Sequence, residues 1–200
     1  MTTEEQILVA ARKVFVRKGM EGSRMQEIAD EAGINKALLH YYFRSKEKLF
    51  EQIFKEGLGQ LWPKVQVSIE ESDGICEFVE SFIGHYLDTI KELPYLPQFI
   101  LHEINRDPSI IVSVIKGQGL PFPKVQALID KDVAAGRIKP IQLEHLMVNM
   151  VSMVLFPVIG QPIIQAILFN NDSEKYANFL DERKSVVTSF VLQAIGSNTK

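Results

Sequence analysis

Apolar residues recur along this chain at intervals of three and four rather than two, and glycines, prolines and short polar residues lie between the periodic runs, so the pattern predicts an all-α protein. Ile7, Ala11, Val14 and Phe15 share one face of a first helix, opened by Thr3 and Gln6 in capping-box spacing and closed near Lys18 and Gly19. Ser23 and Gln26 repeat that spacing ahead of a short helix carrying Ile28, Ala29 and Ala32, which stops at Gly33, a residue free to take positive φ. Asn35 caps a third helix. Ser45 caps a fourth, with Glu47 in its first turn, where a negative charge suits the helix dipole.

Further helices are expected over 46–70, 75–92, 96–105, 108–116, 122–135, 142–159 and 173–195, with prolines 94, 97, 108, 121, 123, 140, 157 and 162 marking most joints. Asp172 or Ser173 caps the last of them, whose Val187, Phe190, Val191 and Ala194 form an apolar stripe that must pack on something. The most apolar stretch, 146–169, is long enough to span a bilayer. Asn149, Ser152, Gln161, Gln165, Pro157 and Pro162 interrupt it, so it is expected between helices and no membrane partner is expected.

Composition adds limits. At 46% hydrophobic and 24% charged residues over 200 positions, the chain is an ordinary globular one. Its single cysteine, Cys76, excludes an intrachain disulfide framework and a cysteine-based zinc site, which suits a reducing cytoplasm. The first residues lack a basic segment followed by an apolar run, so a cytoplasmic location is expected and export is not. The net charge of −3 argues against a nucleic-acid binder until its distribution is examined. Residues 1–50 hold nine Lys/Arg against seven Asp/Glu, whereas 51–200 hold thirteen against eighteen, so the positive excess sits at the N-terminus.

There, two short helices joined by a glycine turn and braced by an earlier helix have the layout of a helix-turn-helix unit. Advancing 100° per residue from Asn35 gathers Leu39, Tyr42 and Phe43 on one side and Lys36, Ala37, His40 and Tyr41 on the other. The second face suits DNA: Lys36 meets a phosphate or a guanine edge, His40 and Tyr41 donate hydrogen bonds, and Ala37 allows close approach to a thymine methyl. Lys46, at the start of the following helix, makes a phosphate site with the free backbone N–H groups, and Arg24 is placed to clamp another. A solvated amphipathic helix pair has the same spacing.

The segment FVRKGMEGSRMQEIADEAGINKALLHYYFRSKEKLF, residues 15–50, resembles the TetR-like transcriptional regulators through Gly19, Ile28-Ala29, Ala32-Gly33-Ile34, Lys36, Leu39, Tyr42-Phe43 and Ser45-Lys46 followed by Leu49. The resemblance implies a helix-turn-helix over about 24–43 within a DNA-binding domain 1–50, and a ligand-binding and dimerisation domain 51–200. Asn35, Lys36, Ala37, His40, Tyr41, Tyr42 and Lys46 fall where such proteins contact DNA. Leu38 stands at a position often small or polar and His40 at one often tyrosine, so the operator sequence does not carry over.

Residues 55–200 hold enough aromatic bulk for either a packed core or a ligand pocket, and the resemblance implies the pocket. Trp62, Phe82, Phe99, Phe122 and Phe156 would line it and His85, Tyr86, His102 or Asn149 would orient a small apolar or aromatic effector. Met147, Met150, Val151 and Val154, together with the stripe Val187, Phe190, Val191 and Ala194, are the expected homodimer interface. The implied function is a repressor that binds a palindromic double-stranded operator as a dimer and is released by its effector. The alternatives are a regulator governed by a protein partner and, from another class, a helical carrier or enzyme with an accidental helix-turn-helix.

No catalytic chemistry is legible. HEINR, 102–106, places Arg106 where a zinc-protease helix needs its second histidine, and GQGLPF, 117–122, puts Phe122 where a dinucleotide fingerprint needs its third glycine and reads as a loop. His85, His102 and His145 have no metal-ligand spacing, so neither a metal nor another cofactor is expected.

Overall fold

The computed structural model of the chain describes residues 1–196 apart from 118, 120 and 121, and only the backbone of 103, 110 and 114. It is 82% helical. The helices are α1 Thr3–Gly22, α2 Met25–Glu31, α3 Lys36–Tyr42, α4 Lys46–Glu70, α5 Ile75–Glu92, α6 Leu96–Arg106, α7 Ser109–Gly117, α8 Phe122–Ala134, α9 Leu143–Ile159, α10 Gln161–Phe169 and α11 Ser173–Ile195. The joint expected at Pro121 and half of the expected 117–122 loop lie outside the described residues, and its first and last residues, Gly117 and Phe122, belong to α7 and α8.

The chain divides into two compact units, Met1–Gly59 and Gln60–Lys200, rather than after residue 50. The reason is that Leu49, Phe50, Ile53 and Phe54 in the first turns of α4 are buried, Phe50 edge-on to Phe15 of α1 with ring centroids 5.6 Å apart, so they complete the first core. In that unit Ile7, Ala11, Val14, Ile28, Ala29 and Leu39 are also buried. Both expected capping boxes are displaced by one residue. Thr2 caps α1, its hydroxyl accepting from Glu5 N–H while the Glu5 carboxylate accepts from Thr2 N–H. At α2 the Glu27 carboxylate accepts from Arg24 N–H. Ser23 instead donates to the carbonyl of Gly19, where φ of 68° breaks the helical path of α1.

In the second unit α5 is the centre: α8, α9 and α11 pack against it, and Ile75, Phe78, Val79, Phe82 and Ile83 are buried on its faces. Its N-terminus is capped from α8, since Asp132 accepts from Ile75 N–H at 2.8 Å while also accepting from Arg137 Nε at 2.9 Å. Burial opposes the charge of Asp132, but the Arg137 hydrogen bonds and the Ile75 amide outweigh it and hold the carboxyl below its ordinary value. The Tyr176 hydroxyl donates to the Pro157 carbonyl and Arg183 donates to the Met153 carbonyl at 2.9 Å, tying α11 to α9.

The prolines divide into two kinds. Pro97, Pro123 and Pro162 occupy first turns of helices, where the missing N–H has no intrahelical partner to lose. Pro157, expected at a joint, lies inside α9. Helix α10 was not expected, and it turns away from α9 by 77°. No residue of α10 is buried, so the expected burial of 146–169 between helices holds for Leu146, Met150 and Val154 of α9 but fails for α10. Among the described residues no single helix is long and apolar enough to cross a membrane.

Candidate nucleic-acid interface

The unit Met1–Gly59 presents α3 outward. Gly33, at φ of 66°, turns the chain after α2; the Ile34 N–H reaches back to the Ala29 carbonyl at 3.0 Å, and Gln6 donates to the Ala32 carbonyl at 2.6 Å. Asn35 then caps α3, its side-chain oxygen accepting from Leu38 N–H at 2.8 Å. Leu39 and Phe43 anchor the helix from behind, 0% and 8% exposed. Asn35, Lys36, Ala37, His40 and Tyr41 are exposed, Tyr41 by 81%. A short helix held by its cap, its preceding turn and two buried side chains therefore offers a cation, a methyl, an imidazole and a phenol to solvent.

Two expectations need correction. Tyr42 does not join Leu39 and Phe43 in the core; it is 40% exposed, its ring edge-on to Tyr41 at 5.4 Å, because its residue offset carries it to the rim of the helix. Lys46 does not present a free ammonium for phosphate. Its Nζ donates to the carbonyls of Met20 at 3.0 Å and Glu21 at 3.3 Å, satisfying the end of α1. Ser45 does cap α4, accepting from Lys48 N–H at 3.3 Å.

The charge pattern explains how a weakly basic unit acquires a positive face. Glu31 is paired with Lys13 at 3.5 Å and Arg17 at 3.7 Å, and Glu27 with Lys18, whose hydrogen bond holds the Glu27 carboxyl below the usual range. Glu27 and Glu31 of α2 are thus paired by α1, while Asp30 is exposed and accepts from Gln26 at 2.8 Å. Arg24, Lys36 and Arg44 are exposed and form no ion pair among the described residues. Arg44 was missed in the sequence; it sits between the buried Phe43 and the cap Ser45, and with Ser45, Lys48 and Lys55 it lines a groove of about 590 Å³ beside α3. A cation immediately before a helix cap was the available signal.

The residues expected to bind an effector scatter in the second unit. Phe82, Tyr86 and Phe99 are buried, Trp62, His85 and His102 half-buried, whereas Phe122 is 40% and Phe156 65% exposed and Asn149 is exposed. Asn149 and Phe156 face out of the folded chain because the inner face of α9 is taken by Leu146, Met150 and Val154, and Phe122 stands exposed at the first residue of α8. His85 Nδ1 lies 2.8 Å from Ser68 Oγ, joining α5 to α4. The expected dimer stripe divides likewise: Met150, Val154, Val187 and Val191 are buried within the chain, Met147 and Val151 half-buried, and Phe190 and Ala194 exposed. The buried four pack inside one chain and leave no surface for a partner.

Residues 7–53 match the family described as bacterial regulatory proteins, tetR family. The HTH-type transcriptional regulator RutR of Escherichia coli (strain K12) is 26% identical over 147 residues, covering 70% of this chain and 66% of that protein. The HTH-type transcriptional repressor KstR2 of Mycolicibacterium smegmatis is 30% identical over 109 residues, 48% of this chain and 53% of that one. The crystal structure of SCO4942 from Streptomyces coelicolor shares the fold, with a TM-score of 0.71 at 19% identity over 97% of this chain and 98% of that one. The chain thus resembles TetR-like regulators over its N-terminal segment and is an all-α protein with an N-terminal helix-turn-helix unit and a C-terminal helical unit.

Proposed function

We propose that this chain binds duplex DNA through α3 as a homodimer, represses transcription by occupying a palindromic operator, and is released by a small apolar or aromatic effector held in the second unit. The observation that carries the reading is the outward face of Lys36, Ala37, His40 and Tyr41 on a helix fixed from behind by Leu39 and Phe43. Asn35, Lys36, Ala37, His40 and Tyr41 read base edges or seat the helix, and Arg24 and Arg44 hold phosphates on either side. Lys46 contributes by fixing the end of α1 against α4. The names of RutR and KstR2 as transcriptional regulator and repressor support the same role.

The homodimer is assigned to the apolar side chains that remain exposed, not to the buried stripe. Phe156 of α9, Ile163, Ile167 and Leu168 of α10, and Val186 and Phe190 of α11 are 49% to 71% exposed on three helices that pack on one another. Large aliphatic and aromatic groups concentrated in this way mark a protein-facing surface. Association would set the spacing of two α3 helices, which must be about 34–36 Å or a multiple to enter successive major grooves.

The test is fluorescence anisotropy with a labelled duplex over a salt series from about 50 to about 200 mM. Binding that weakens steeply as salt rises, and is weaker in Lys36→Ala and Tyr41→Ala proteins of unchanged thermal stability, supports the reading. Absence of duplex binding at low salt removes it.

A further inference from the structure

Helix α9 runs into α10 through a break that side chains of α11 bridge. Pro157 has no N–H, so the Met153 carbonyl four residues earlier loses its helical donor, and Arg183 Nη2 donates to it at 2.9 Å instead. The chain then bends by 77° into α10, and the Pro157 carbonyl accepts from the Tyr176 hydroxyl. A Cβ at Gly160 would lie 3.0 Å from the Phe156 carbonyl oxygen and 3.3 Å from Ile164 Cδ1, so a larger residue there would press on the bend. The far end of α10 is fastened to the same helix. The Phe169 ring meets those of Tyr176 at 5.4 Å and Phe179 at 5.2 Å, and Gln165 donates to Ser173 Oγ at 2.9 Å. Arg183 lies over the Phe179 ring at 5.5 Å. It has no carboxylate within ion-pair distance among the described residues and its Nε is buried without a partner, so its hold comes from the Met153 carbonyl and that ring.

We propose that Tyr176 and Arg183 are positioning residues for self-association: they set the angle of α10, and so the place at which Ile163, Ile167 and Leu168 meet a second copy of the chain. The proposal rests on the homodimer assigned above and names the device that shapes its surface. No residue of α10 is buried, so the helix has no core of its own to fix its direction and is held at its ends. Both ends are held by α11, through Tyr176 and Arg183 at the bend and through the ring of Phe169 beyond it. A helix set at another angle keeps the same apolar side chains but offers them in the wrong place, so affinity falls although no contacting group is lost. The occupant is a second copy because residues 161–171 hold no Asp, Glu, Lys, Arg or His. Across a two-fold axis an uncharged face meets its own duplicate without like-charge pairs, and it offers nothing to a charged partner. The face also continues into the exposed Phe156 of α9 and Phe190 of α11.

The full chain is compared by sedimentation equilibrium and hydrogen exchange with Tyr176→Phe, Arg183→Met, Gly160→Ala and Ile167→Asp variants. Tyr176→Phe and Arg183→Met should each weaken self-association about 5-fold, the ratio one neutral hydrogen bond supplies. Gly160→Ala, which presses on the bend without removing a hydrogen bond, should weaken it in the same direction. In an Ile167→Asp background, where the surface itself is spoiled, none of the three should weaken it further. The amides of 161–169 should exchange about 5-fold faster in the Tyr176 and Arg183 variants, while those of Ile75–Glu92 keep their rates. Unchanged association in both variants, additive loss in the Ile167→Asp background, or exchange accelerated equally in Ile75–Glu92 would each overturn the proposal, the last by making both groups ordinary core contacts. So would binding of a monomeric wild type to phosphatidylcholine vesicles that Ile167→Asp abolishes, which would assign the face to lipid. A wild type that is monomeric at micromolar concentration and binds no vesicle, with 161–169 still exchanging faster in both variants, would strike the homodimer reading and leave the fastening of α10 intact.

Discussion

The two units dispose of their surface chemistry in opposite ways. On α3 the exposed groups include a lysine, a histidine and two tyrosines, each with an apolar body and a hydrogen-bonding tip, and Glu27 and Glu31 of α2 are already paired with α1. On α10 and its neighbours the exposed groups are Ile163, Ile167, Leu168, Phe156 and Phe190, and α10 itself has no charged residue. The first surface stays well hydrated and can exchange water for base edges and phosphates. The second gains only by excluding water. The difference teaches that exposure has to be read together with residue type: the same fractional exposure supports the proposed nucleic-acid face on α3 and the proposed protein-facing surface on α10.

The sharpest way to break this contrast is to treat the buried and exposed members of the apolar stripe separately. Met150→Ala should cost about 2–5 kcal/mol of folding stability, measured by chemical denaturation, because Met150 is 0% exposed and packs inside one chain. Phe190→Asp should leave the folded chain intact and weaken self-association by about 2–4 kcal/mol in sedimentation equilibrium. Equal effects of the two variants on association would remove the distinction.

On the other surface, Tyr41→Ala and Lys36→Ala should each weaken operator binding by about 1–3 kcal/mol. The Lys36 variant should also lower the slope of affinity against salt by about one unit if Lys36 meets a phosphate, and Tyr41→Ala should not. Identical slopes in both variants would assign Lys36 to a base edge.

Asp132 sharpens the account of how α5 is held. Asp132→Ala should cost about 1–3 kcal/mol near neutral pH, since it frees the Ile75 amide and both Arg137 donors, Nε and Nη2. The folded-state pKa lies below the ordinary 3.8, so this contribution is present above that value and disappears as pH falls through the folded one. The stability difference between wild type and variant should therefore be constant from pH 7 to about 5 and shrink below about 4. A difference that grows toward acid pH would show the opposite shift. The smallest effect is at the α3 cap, where Asn35→Ala should cost about 1 kcal/mol in thermal unfolding.

Much of the architecture was legible from spacing. The ranges 46–70, 75–92 and 173–195 coincide with α4, α5 and α11, since each is bounded by a cap or a proline and carries a continuous apolar stripe. The outward face of α3 followed from the helical period once Asn35 was placed as its cap. What failed depends on contacts distant in sequence. Lys46 satisfies carbonyls 25 and 26 residues away, which no local motif announces. The stripe Val187, Phe190, Val191 and Ala194 marks burial by period alone, but only the packing of α5 on α11 decides that Val187 and Val191 are filled from within and Phe190 is not. Helix α10 was hidden because Pro162 reads equally as a breaker and as a first-turn residue.

The outward face of α3 is tested most directly by selecting bound fragments from a genomic library with the wild-type protein and with a Lys36→Ala, Tyr41→Ala double variant. The account predicts that the wild type enriches sites with two inverted half-sites about 10 base pairs, or a multiple, apart, and that the folded variant enriches none. Enrichment of the same sites by both proteins, or of no sites by the wild type, would contradict it.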